Sequence, residues 1–174
     1  MDTRLEKIVK VLQEKASATY EEFRDEVHVF INAGQIVDAL TFLRDEHQFS
    51  LLSAMTAVDY WPEENPRFHV IYQLTSLTQN LSIQLRVLVN GDQPKVPTVT
   101  RVFEVANWRE RELMDMFGID FDGHPDPRRI LMPEDWQGHP QRKDYPLEGP
   151  GELLMENPID WLKLRQAKEE SDIE

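Results

Sequence analysis

Proline and glycine are distributed very unevenly along the 174 residues. Seven prolines and five glycines fall between positions 118 and 158, against four and two in the 117 residues before them. Each proline fixes φ and removes a main-chain donor, so neither a helix nor a central strand runs far through the later stretch. The pattern predicts a compact domain over residues 1–117 and an extended Pro/Gly-rich arm over 118–174. The arm is nonetheless too apolar for a solvated tail, with Ile119, Phe121, Ile130, Leu131, Met132, Trp136, Tyr145 and Leu147. Broken, stiff backbone with large apolar anchors and basic pairs predicts a segment that lies across a surface. That surface belongs either to a second polypeptide or to the chain's own sheet.

Periodicity organises the first 117 residues. Leu5, Ile8, Val9 and Leu12 recur at helical spacing, with Glu6, Lys7 and Lys10 toward water. Val27, Val29 and Ile31 alternate with His28 and Phe30, which predicts a strand largely buried on both faces. Asn32 is a candidate cap for a second amphipathic helix through Ile36, Val37, Leu40 and Leu43. Strand-like runs follow at 51–60, 67–77 and 81–90, the last two joined by a Thr78-Gln79-Asn80 hairpin loop. Asn90-Gly91-Asp92 closes the third run, and Pro94 and Pro97 argue against further pairing. A helical region is expected over 98–117. It is jointed at Asn107, which with Glu110 has the residues of a capping box, and stopped by Gly118. This order predicts an α+β fold: a two-layer α/β sandwich with a mixed or largely antiparallel sheet, plus an extended C-terminal arm. Further on, Asn157-Pro158 through Leu162 predict a short terminal helix, and residues 169–174 an acidic, frayed end.

Charge and composition exclude several function classes. Thirty-two acidic against 19 basic residues give a formal net charge of −13, which repels phosphate backbones and anionic lipid and argues against nucleic-acid binding. The only adjacent basic pairs, Arg128-Arg129 and Arg142-Lys143, suit carboxylate partners better than a nucleic acid. There is no cysteine, hence no disulfide, thiolate metal site or cysteine-held iron–sulfur cluster. No glycine-rich nucleotide loop is visible, and no cofactor is expected. No apolar run approaches the roughly 20 residues of a membrane span. Residues 1–11 lack the apolar stretch of a signal peptide, so a soluble chain without direct membrane insertion is expected. His124 and His139, with Asp120, Asp122, Asp126 and Asp135 nearby, raise a metal-dependent hydrolase as an alternative. They lie on segments without an i,i+4 relation, and backbone hydrogen bonding is the commoner use of such histidines. Trp61, Trp108, Trp136 and Trp161 are scattered, which favours core or interface anchoring over a stacking platform.

One block carries a more specific signal. Between residues 106 and 149, Glu110-Arg111-Glu112, Asp115, Phe117, Gly118 and Ile119 precede Gly123-His124-Pro125 and Arg128-Arg129-Ile130-Leu131. Then come His139-Pro140 and Arg142-Lys143-Asp144-Tyr145-Pro146. Together these closely resemble the signature of the 30-kDa subunit family of respiratory complex I, the C subunit of bacterial NADH:quinone oxidoreductase. Gln141 and Tyr145 depart from the leucine and phenylalanine more usual there. The resemblance implies a non-catalytic structural subunit that binds no cofactor and sits in the peripheral arm of a hetero-oligomeric, proton-translocating complex. It implies a C-terminal extension that clasps the large quinone-site (49-kDa type) subunit, beside iron–sulfur subunits. It further implies a peripheral location on the cytoplasmic side of the cell membrane, or the matrix side in a mitochondrion. The partner-binding residues it implies are Glu110, Arg111, Glu112, Asp115, Phe117, Gly118, His124, Pro125, Arg128, Arg129, Ile130, Leu131, His139, Pro140, Arg142, Lys143 and Asp144. A related reading is the equivalent subunit of a complex-I-like ferredoxin- or deazaflavin-linked dehydrogenase, or of a membrane-bound nickel–iron hydrogenase.

Overall fold

In the computed structural model, which describes residues 2–24, 26–91 and 93–147, the chain opens with α1 (Thr3–Ala16), β1 (Thr19–Phe23) and β2 (Glu26–Ile31). A single 3₁₀ turn leads into α2 (Ile36–His47), then β3 (Leu51–Asp59), β4 (Phe68–Ser76) and β5 (Leu81–Val89). β6 (Lys95–Pro97), α3 (Ala106–Phe117) and β7 (Asp120–Asp122) complete the order. The expected terminal helix, Trp161 and the acidic end lie outside the described residues.

Five strands form one mixed sheet in the order β1-β2-β5-β4-β3. β2 and β5 run parallel, and the other neighbours are antiparallel. β3, β4 and β5 form a meander, and α2 carries the chain from β2 to the far edge, so that β5 returns beside β2. Alternation fixes which side faces inward. Val29 and Ile31 of β2, Val70, Tyr72 and Leu74 of β4, and Ile83, Leu85 and Val87 of β5 are buried in one cluster with residues of all three helices. Each buried aliphatic side chain contributes about 1.5–3 kcal/mol. The α+β sandwich with a mixed sheet is therefore as expected. Positions on the opposite sheet face are mostly half-buried or exposed.

Several local expectations need correction. The Asn32 side chain makes no capping bond, and its carbonyl instead closes the 3₁₀ turn by accepting from the Gln35 N–H. β1 gave no readable pattern because all five of its residues are exposed. β6 forms despite Pro94 just before it and Pro97 at its end. It pairs in parallel with β7 as a separate two-stranded sheet, and Thr98, not Pro97, donates to Asp122 O. The stretch 98–105 consists of turns and short loop residues, and one unjointed helix begins at Ala106. Glu110 does not close a capping box with Asn107, because its carboxylate is turned inward to Thr98 and Val99. Gly118 does end the helix, at φ +70°, with its N–H donating to Met114 O. The core continues past residue 117, since Ile119 and Phe121 are buried in it.

Candidate partner interface

α3 is the element around which the resemblance-bearing residues gather. Its one face packs Ala106, Leu113, Met116 and Phe117 into the core, and Phe117 meets Phe68 edge-on with centroids 6.4 Å apart. Two acidic residues of the same helix are buried as well, and both are used inside this chain.

Asp115, 1% exposed, faces the arm. Its Oδ2 accepts the consecutive main-chain N–H groups of Ile130, Leu131 and Met132 at 3.1, 2.8 and 2.9 Å. Its Oδ1 takes Arg129 Nη1 at 2.6 Å. Burial alone would raise this carboxyl, but the hydrogen bonds from Met132, Leu131, Arg129 and Ile130 outweigh it and hold the group below the usual carboxylate range. Three successive N–H groups converging on one oxygen form a nest, a backbone arrangement that favours an anion. Arg129 also donates to the carbonyls of Trp136 and Gly138.

The end of α3 is closed by the arm. Helix C-termini leave carbonyls without partners inside the helix. Here Asp115 O is met by His139 Nδ1 at 3.0 Å and Met116 O by the Gln141 N–H at 3.0 Å. A Cβ at Gly118 would lie 2.5 Å from the His139 ring, so both backbone and space require glycine there.

Glu110, 0% exposed, anchors the stretch before the helix. It accepts from Val99 N at 2.7 Å and Thr98 Oγ1 at 2.6 Å. Burial pushes its carboxyl up, against the lowering effect of those two bonds and of nearby His124. His124 Nδ1 accepts the Asp126 N–H, which assigns the ring proton to Nε2, 3.1 Å from Asn107 O. The two histidines thus serve separate backbone contacts. Among the described residues no group of three or more His, Asp or Glu is placed to hold a metal.

Arg111 does not pair with Asp115, its i,i+4 neighbour on the helix. Its guanidinium donates to the carbonyls of Arg128 and Arg129 at 2.9 and 3.0 Å and lies over the Trp108 ring. Glu112 pairs with Arg109 at 3.4 Å, and Arg128 with Asp126 at 2.6 Å.

A second fastening joins the later arm to the sheet. Arg67 at the start of β4 is nearly buried and binds two carboxylates, each through two bonds: Asp59 at 3.0 and 3.0 Å, Asp144 at 3.0 and 2.6 Å. Asp59 also accepts the Lys143 and Trp61 N–H groups. Burial opposes ionisation of Asp59, yet these bonds hold it below its ordinary value. Arg142 lies over Phe68, and Tyr145 donates to Gln137 O.

Nearly all the residues marked by the resemblance are thus gathered into one unit. Glu110, Asp115, Arg111, Arg129 and His139 are spent holding it together, and Ile130 and Pro140 are half-buried in it. Leu131 and Trp108, each 60% exposed, stand out with Arg128, Pro125 and Lys143 on its surface. Asp59 and Arg67 carried no signal that sequence reasoning picked up. An acid and a base stood at the facing ends of two expected strands, but nothing local tied them to Asp144.

Comparison with known proteins converges on one family. Residues 29–151 match the family described as respiratory-chain NADH dehydrogenase, 30 Kd subunit. Relatives named as the C subunit of NADH-quinone oxidoreductase include that of Geobacter sulfurreducens, 44% identical over 142 residues, or 80% of this chain and 88% of the relative. That of Salinispora tropica is 47% identical over 128 residues, 72% of this chain, and the chain spans only 52% of that relative's length. Among solved structures, the trypsin-resistant fragment of Nqo5 aligns with a TM-score of 0.64 at 31% identity, covering 71% of this chain and 99% of the fragment. A chain of an archaeal membrane-bound sulfane sulfur reductase aligns with a TM-score of 0.67 at 25% identity, covering 83% of this chain and 86% of that one.

Proposed function

Since the chain belongs to the family of the respiratory-chain NADH dehydrogenase 30 Kd subunit, we propose that it is a structural subunit of an NADH:quinone oxidoreductase complex. In this reading it braces the peripheral arm and clasps the large quinone-site subunit, near the iron–sulfur subunits, on the cytoplasmic side of the membrane (the matrix side in a mitochondrion). It holds cofactor-bearing neighbours at transfer distance while the redox chemistry is theirs. A chain without cysteine has no thiolate with which to hold a cluster itself.

The observation that carries this reading is the fixed arm. Asp115 and Arg67 tie residues 129–144 to the domain, so the irregular backbone is already ordered before any partner arrives. Ordering done in advance lowers the entropy lost on docking. What the fixed arm and the adjoining α3 present is an exposed leucine, an exposed tryptophan and a rim of charge, the composition of an interface anchor with its polar border. Glu110 and Asp115 therefore act on the partner through the shape they hold.

The likeness to the archaeal sulfane sulfur reductase chain supports a second reading, the equivalent subunit of a related respiratory membrane complex. Affinity purification of the intact chain from its native membrane separates the two. Co-elution of quinone-site and NADH-oxidising subunits is expected. A different large subunit would favour the second reading, and a lone chain would refute both.

A further inference from the structure

The sheet face turned away from the helices is unusually poor in charge. In a chain of which 29% is charged, the outward positions of β3, β4 and β5 carry one permanent charge, Arg86. The acidic Glu21 and Glu26 stand at the β1–β2 margin of the sheet, where Glu26 lies 3.7 Å from His28 Nε2, and neither pairs with Arg86. Around Arg86 lie Phe30, Ile71 and Leu88, the last 41% exposed, and Val58 follows on β3 beside His69. His69 belongs to the same face, against Tyr60 with ring centroids 4.4 Å apart. Depletion of charge with retained aromatic and aliphatic side chains marks the centre of an interface more than bulk hydrophobicity does.

Arg86 is the informative member. Its Nε donates to Gln84 Oε1 at 2.6 Å, and its guanidinium sits 5.9 Å from the Phe30 ring centroid. Among the described residues it pairs with no carboxylate, although the chain has 32. From these features we infer that this face docks a second, different subunit of the assembly, one that presents an uncharged surface with a carboxylate opposite Arg86. The inference rests on the proposed membership in a complex and adds a contact separate from the arm.

Two considerations select a different subunit over a second copy. At about 4.8 Å between strands and 3.3 Å per residue, the face from β2 to β3 spans roughly 450 Å². A free-standing specific interface needs about 800 Å² per partner. The patch is sufficient only where other contacts already hold the assembly together. In addition, two copies stacked over their central strands would bring together faces whose β3–β5 positions hold Arg86 and no carboxylate to meet it.

The test places a photo-crosslinking amino acid at Leu88 of the full chain assembled in its native membrane, with a parallel preparation carrying it at Leu131. The Leu88 position is expected to join a subunit of the assembly other than the one joined at Leu131. Arg86→Glu is expected to lower recovery of the Leu88-linked subunit at least tenfold while the Leu131 adduct persists. Joining to a second copy, to residues 148–174 of the same chain, or to nothing while Leu131 still reacts overturns the inference and leaves the arm reading standing. Unchanged recovery with Arg86→Glu overturns the pairing and with it the inference. Should neither position join an assembly subunit, the membership itself falls.

Discussion

Asp115 on α3 and Arg129 in the arm meet at 2.6 Å, 14 positions apart in sequence, with the carboxylate fully shielded from water. The other oxygen of Asp115 takes three consecutive main-chain N–H groups, so a single side chain sets the path of the arm from Arg129 to Met132. Removing it leaves those donors and a half-buried guanidinium without their anion. Asp115→Ala is expected to cost about 3–5 kcal/mol, the range for breaking a buried pair. Urea unfolding measures the loss, and faster tryptic cleavage after Arg128 and Arg129 would localise it to the arm. An unchanged cleavage rate would mean that the arm is held elsewhere.

Arg67 makes a comparable demand at the other fastening. With Arg67→Met, Asp59 stays buried with only the Trp61 and Lys143 N–H groups, and a loss of about 3–5 kcal/mol is expected. Adding Asp59→Asn removes the stranded charge. The double variant should therefore be more stable than the single one, a non-additivity that two urea titrations reveal.

The pH dependence of stability should carry the signature of Glu110. Burial raises its carboxyl in the folded chain, so the folded state keeps that proton to higher pH than the unfolded chain, whose value is about 4.3. Its contribution is fully present below the unfolded value and is lost as pH rises through the folded one. Asp115, Asp59 and Asp144 have the opposite sign. Their carboxyls are depressed, so their contribution is present above the unfolded value and lost as pH falls through the folded one. Glu110→Gln keeps an acceptor for Val99 and cannot ionise. Relative to this variant, the parent chain should lose stability as pH rises from the unfolded value through the folded one. Parallel curves over that interval would contradict the assignment.

Gly118 is tested by a single methyl group. At φ +70° and with the His139 ring in its way, Gly118→Ala should cost about 1–3 kcal/mol, several degrees in Tm. Gly34→Ala is the control, because nothing lies within 4 Å of its added Cβ and its φ is ordinary. Equal shifts for the two would show that the contact with His139 is unimportant.

The sequence made some of this legible and concealed the rest for definite reasons. The helix of Leu5, Ile8, Val9 and Leu12 and the three central strands could be read because each buries one regular face. The separate β6–β7 pair could not, since its strands are three residues each and one contains proline. The motif residues were visible as a set, but their roles were not. The resemblance marked Glu110 and Asp115 as partner-binding, whereas both point inward to donors on residues 98–99 and 129–132. Periodicity carries no information about such distant main-chain partners. Likewise the clamp of Asp59, Arg67 and Asp144 joins positions up to 84 residues from Lys143, whose N–H completes it.

The most direct test of the account is a surface change on the fixed arm. Leu131→Asp alters one exposed side chain and removes none of the bonds that order residues 129–144, because Leu131 meets Asp115 through its main-chain N–H. In tagged chain recovered from native membranes, the account predicts an unchanged melting temperature for the isolated variant and at least a tenfold loss of the co-purifying quinone-site subunit. Recovery of that subunit at the parent level would contradict it.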